Sequence, residues 1–254
     1  MKMKTGIIAA MAGMIAFMSC KKNETTTPST NNSTSADSIP AIYKKIYGAK
    51  SITRDGDFIV ITTDDLPDHK SVYYKGTQWA STLYEAYNGT NSSFSAAPNT
   101  IEQQNITFRI PANPALNSAH SSTPMGPIGI SLNGVPFFNQ YAAGGAALGP
   151  EKNSFDQYDG HPQQQGMYHY HVEPLWLTQN KGEDAFLGVL LDGFPVYGPQ
   201  ENGKTLSSSD LDAYHGHFGA TADYPNGIYH YHITADAPYL NGDGFYGTAG
   251  TVSQ

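Results

Sequence analysis

The stretch GMYHYH (166–171) returns as GIYHYH (227–232), changed only by a Met-to-Ile exchange. Side chains on a β-strand alternate faces with a period of two. Read as strands, Tyr168-His169-Tyr170-His171 and Tyr229-His230-Tyr231-His232 each place two histidines on one face and two tyrosines on the other. Aromatic residues favour strands and bury large areas, so the tyrosine face reads as the packing face.

The repetition extends beyond the tetrads. LNGVPFF (132–138) matches LDGFPVY (191–197), and DQYDGH (156–161) matches DAYHGH (212–217). The three blocks keep their order, at offsets of 59, 56 and 61 residues. We read two copies of a unit, about 130–174 and 190–235, within one domain rather than a solenoid. Gly (26) and Pro (16) break the chain every few residues, and no long helical stripe occurs. Runs at 57–63, 101–111, 127–133 and 185–192 join the two tetrads as strand candidates, and 207–214 reads as one short capped helix. The fold class expected is mainly β: a single sandwich- or barrel-like domain with an internal pseudo-twofold repeat and little helix.

The first nineteen residues read as a processing signal. Lys2 and Lys4 precede an apolar run, Ile7 to Phe17, too short to span a bilayer. Ser19 before Cys20, the only cysteine, resembles a lipoprotein cleavage site, with Cys20 lipidated; plain secretion is the alternative. Residues 20–38, rich in Ser, Thr and Asn, cannot bury a core and read as a flexible tether to a domain at 39–254. The expected location is the cell envelope, lipid-anchored at the outer membrane or facing the periplasm. Loss of Lys2 and Lys4 takes the net charge from -8 to -10, which argues against nucleic acid as a partner. The expected partners are the membrane, through the lipid, and a metal ion; the sequence names no protein partner.

Seven of the nine histidines lie in the duplicated blocks. Two imidazoles two residues apart on a strand can converge on one ion: His169 with His171, and His230 with His232. A third, His161 or His217 from the preceding Gly-His, completes a three-nitrogen set suited to copper or zinc. Ligating imidazoles usually donate their other N–H to a carboxylate or carbonyl. Asp156 and Asp212 are expected to serve there, while Asp159 or Asp192 can ligate or orient instead. Asp192 reads more readily as a backbone cap in its Gly-Pro turn. The competing readings are a metal-free His-Tyr network that fixes strand register, and a site for an organic ligand. His69, after a Pro-Asp turn, reads as a surface or supporting residue, and His120 as exposed. Whether the halves share one site or build two is not legible.

HPQQQGMYHYH, LNGVPFF, LDGFPVYGP, YPNGIYHYHIT and LPDH together resemble the bacterial YHYH-domain proteins, over roughly residues 50–245. The resemblance implies an exported setting and assigns no reaction. Relatives often carry cysteines where this chain has Tyr158 and Tyr214, so a disulfide formed there elsewhere is absent here. The chain lacks G-x-S-x-G, H-E-x-x-H and a phosphate-cradling Gly loop, which lowers the odds of the common hydrolases. Outside the signal only Met125 and Met167 remain, favouring Cu(II) or Zn(II) over Cu(I). Three functions stay open: a metal buffer or carrier, a metalloenzyme, and a surface binding module.

Overall fold

The computed structural model describes residues 38–254. The expected leader, Cys20 and all of the tether but Ser38 lie outside the described residues. Three strands come first: β1 (Ser51–Asp55), β2 (Phe58–Thr63) and β3 (Ile106–Pro111). The first half of the repeat holds β4 (Pro127–Ser131), β5 (Pro136–Phe138), β6 (Tyr141–Ala142), β7 (Ala146–Ala147), β8 (Gly160–Pro162) and β9 (Tyr168–Tyr170). The second holds β10 (Phe186–Leu190), β11 (Pro195–Tyr197), β12 (Gln200–Glu201), β13 (Lys204–Thr205), β14 (Gly216–Gly219) and β15 (Ile228–His232). β16 (Thr251–Ser253) returns to the first sheet, ordered β1-β2-β3-β16.

The principal sheet has eight strands in the order β14-β15-β11-β10-β4-β5-β9-β8. Under the sequence offset of 59, β4 corresponds to β10 and β5 to β11; β8 and β9 likewise correspond to β14 and β15. The order is therefore a palindrome about the β4–β10 junction. The register agrees: Gly129 pairs with Leu190, Ile130 with Val189 and Ser131 with Gly188, so Ile130 faces its own counterpart. Glycine is required at the junction. A Cβ on Gly129 would stand 2.4 Å from the Val189 carbonyl oxygen, and one on Gly188 2.2 Å from that of Ile130. Within each half the hairpin is antiparallel, while β9 joins β5 and β15 joins β11 in parallel.

Alternation builds the core. Ile59 and Ile61 of β2, and Ile106, Phe108 and Ile110 of β3, point inward while their neighbours are half-buried. They join one apolar cluster with Ile128, Ile130, Val189 and all four tetrad tyrosines. β4 and β10 are buried at every residue, as strands covered on both faces must be. The arrangement is sandwich-like, and neither sheet closes into a barrel.

Helix is scarce among the described residues: α1 (Ala80–Leu83) and α2 (Leu175–Lys181), plus short 3-10 turns. The segment expected as a capped helix contracts to one 3-10 turn, Ser208–Asp210, closed by a reciprocal Ser207–Asp210 capping box. The 101–111 candidate is strand only from Ile106. No helix among the described residues is long and apolar enough to cross a membrane.

Candidate metal centres

Tyrosine hydroxyls tie the three repeated blocks into one constellation. Tyr168 donates to the Asp156 carboxylate (2.8 Å) and Tyr229 to that of Asp212 (2.9 Å). The second tyrosine of each tetrad reaches the L-[N/D]-G block: Tyr231 donates to Asp192 (2.6 Å), and Tyr170 accepts from the Asn133 amide (3.1 Å). The glycine of each Gly-His pair is the floor under the first tyrosine. A Cβ on Gly160 would lie 2.4 Å from the Tyr168 ring, and one on Gly216 2.5 Å from the Tyr229 hydroxyl. With the tyrosines drawn to the core, the strand period turns the histidines to the other face, where loops bury them.

On that face two separate clusters form, at opposite edges of the eight-stranded sheet. Glu151, His161, His169 and His171 make the first; Glu201, His217, His230 and His232 make the second. In each, one donor atom per residue lies within 4.8 Å of all the others. The sheet delivers the histidines by register, since His161 pairs with His169 across β8–β9 and His217 with His230 across β14–β15.

Backbone carbonyls fix the imidazole tautomers. Carbonyl oxygens only accept, so the Nδ1 atoms facing them carry the hydrogen. His169 Nδ1 donates to Met167 O (3.2 Å) and His171 Nδ1 to Asn139 O (2.6 Å). His230 Nδ1 donates to Ile228 O (3.0 Å) and His232 Nδ1 to Gly198 O (2.8 Å). His161 Nδ1 donates to Ser154 Oγ (2.8 Å), whose own hydrogen goes to Glu151 O (2.7 Å). Each of these five Nε2 atoms is therefore a bare lone pair, and within each cluster the Nε2 atoms point at one another. His169 and His171 Nε2 are 3.0 Å apart, and His217 and His230 Nε2 3.1 Å. Glutamate oxygens stand 3.2 Å from His161 Nε2 and 3.4 Å from His217 Nε2. His161 Nε2 and His232 Nε2 are buried without a hydrogen bond.

The family model described as YHYH protein matches residues 107–206 and 200–243, more than half of the chain. This chain belongs to the YHYH family. No curated protein and no solved structure matches it.

The histidines that give the YHYH family its name thus join His161 and His217 here in two sets of three, each met by one glutamate. Burial favours the neutral form of the four tetrad imidazoles: it pushes His169 well below the usual imidazole range, His230 below it, and His171 and His232 down to about 4. Neutral imidazoles and a carboxylate are the protonation states a divalent metal requires.

The structure brings together all six histidines expected from the sequence, in two sets. It moves the aspartates elsewhere. Asp156 and Asp212 were expected to orient imidazoles, but they sit in the turns before β8 and β14, where they cap backbone N–H groups and face the tyrosines, and no hydrogen bond joins either to a histidine. Asp192 caps its turn through Phe194 N (3.3 Å) and also accepts from Tyr231 and from Gly247 N (2.9 Å). Carbonyls take the orienting role instead. His69 is buried beneath the first tetrad, its Nε2 3.1 Å from the Tyr170 hydroxyl. His120 is half-buried rather than exposed, stacked on Tyr214 at 4.2 Å.

Glu151 and Glu201 escaped the sequence reading. They occupy non-equivalent positions: Glu201 follows β11 directly in β12, where the first half has Ala142, and Glu151 arrives later from the 3-10 turn Glu151–Ser154. The one readable signal was chemical, an acidic residue in the segment between the L-[N/D]-G block and the Gly-His pair of each half.

Proposed function

We propose that this YHYH protein binds two divalent transition-metal ions, Cu(II) or Zn(II), one in each half of the repeat. Each ion is held by three imidazole Nε2 atoms and one carboxylate. The observation that carries this reading is the convergence of tautomer-fixed lone pairs at the first cluster, where His169 Nε2 and His171 Nε2 lie 3.0 Å apart. Like-charged lone pairs at that distance repel unless a cation lies among them. Tetrahedral zinc, with Zn–N near 2.0–2.1 Å, sets neighbouring donors about 3.3–3.4 Å apart. Asn139, Gly198, Met167 and Ile228 supply the carbonyls that orient ligating imidazoles. Anchored through Cys20 at the cell envelope, such a protein would buffer or carry metal there.

A second reading, metal-dependent catalysis, is favoured by one feature. A cavity of about 410 Å³ touches His230, His232 and Glu201, and another of about 360 Å³ touches His169, His171 and Glu151. An ion with an accessible face can activate water.

The test is metal content by elemental mass spectrometry on protein purified without a His tag or chelators. Two equivalents per chain are expected. One should remain in His161→Ala/His169→Ala and one in His217→Ala/His230→Ala. A wild-type protein that holds no metal and takes none on titration would refute the reading.

A further inference from the structure

The cavity at the second centre does not end there. It shares Asp184, Tyr197 and Ala222 with a neighbouring cavity of about 460 Å³, lined further by Lys45, Tyr47, Lys181 and Phe186. The two form one groove with the His230/His232/Glu201 cluster at one end and a lysine-aromatic wall at the other, of the size of small-molecule sites. The first centre has no such extension: its cavity is walled by Met125, Phe138 and Tyr141.

The charges give the groove a sign. Lys45 is paired with Asp223. Lys181 makes no ion pair among the described residues, and its ammonium lies 5.1 Å from the Tyr47 ring centre. Counting both lysines against Asp184, Asp223 and Glu201, the groove is acidic by one charge when empty and positive by one once a divalent ion is bound. Tyr47, Phe186 and Tyr197 supply flat apolar surface between the two cationic ends.

We propose that the second centre takes an external ligand of a definite class: an aromatic dicarboxylate, one carboxylate directed to the metal and the other to Lys181. This rests on the metal reading above. Nothing of the kind applies at the first centre, whose cavity is lined by no lysine.

The probes are 2-fluoroterephthalate and 4-fluorobenzoate, followed by 19F NMR on the protein with its metal content measured in the same sample. The dianion should bind the metal-loaded protein at least tenfold more tightly than the monoanion. Neither should bind appreciably after metal removal. Lys181→Ala should shrink the dianion's advantage to under threefold and Lys181→Arg should keep it; the side chain is exposed, so neither variant threatens folding. His217→Ala/His230→Ala should abolish binding. If two equivalents of metal are present and neither probe binds at millimolar concentration, or the dianion's advantage survives Lys181→Ala, the ligand proposal is overturned while the metal reading stands. If no metal is held, both fall.

Discussion

At the first centre Phe138 lies nearly flat on His169, ring centres 3.9 Å apart at 23°. At the second, the corresponding Tyr197 stands edge-on to His230 at 5.3 Å and 76°, its hydroxyl drawn away to Thr221 and Asp223. His161 has 6% of its side chain exposed, and its counterpart His217 has 29%. One palindromic sheet therefore carries a more enclosed cluster and a more accessible one. The difference lies in the coverings, for the histidines keep the same register. The strand order sets what converges in each cluster, while the loops between the blocks set who can reach it. The glutamates show the same freedom, arriving from unrelated places at equivalent spots.

The largest effect that separates the centres concerns exchange. Stripping with EDTA should be biphasic, the second centre emptying at least about tenfold faster than the first. Each tightly held ion stabilises by about 3–4 kcal/mol at a hundred- to thousandfold excess over Kd. Full removal should lower Tm by roughly 10 °C or more for a domain of this size. Calorimetry during the chelator time course would resolve it; a single exponential, or simultaneous loss of both ions, would erase the distinction drawn from the coverings.

Much of this was legible in the residues. The period-two alternation of the tetrads gave strands with the tyrosines inside, and the ordered triple of blocks placed matching histidines in matching halves. Gly-His with its preceding Asp looked like ligand plus orienting carboxylate because the two are five residues apart in the same block. In space the glycine lets a tyrosine cross the strand, and the aspartate meets that tyrosine's hydroxyl on the far face. Glu151 and Glu201 could not be read, since a carboxylate brought by a loop leaves no periodic trace. The count of centres was equally hidden: it depends on strand order, and only the palindrome about Ile130 and Val189 sends the two tetrads to opposite edges.

A smaller effect tests the tyrosine anchors. Asn133 and Asp192 occupy equivalent positions, but only Asp192 titrates. Full burial raises its carboxyl to about 6, against roughly 4 in an unfolded chain. The folded state then holds more protons than the unfolded one between those values. The group's contribution is complete below about pH 4 and declines as pH rises to about 6, by roughly 3 kcal/mol. Urea unfolding of wild type and Asp192→Asn from pH 4 to 7 should differ by that slope, the variant lacking the decline. Parallel curves would mean that Asp192 ionises in its pocket as readily as in water.

The smallest contrast uses the tyrosines directly. Asp156 is buried and also accepts from Ser71 (2.5 Å), so Tyr168→Phe removes a donor from a carboxylate that water cannot reach. Leaving a buried acceptor short of a partner costs about 1–3 kcal/mol. Asp212 is exposed, and water replaces the lost hydroxyl in Tyr229→Phe, so that change should cost under about 1 kcal/mol. Neither tyrosine contacts the ions, so both variants should keep two equivalents of metal. Equal destabilisation of the two would show that solvent reaches both anchors alike. The asymmetry between the halves would then be confined to the histidine face, with the tyrosine face alike in both.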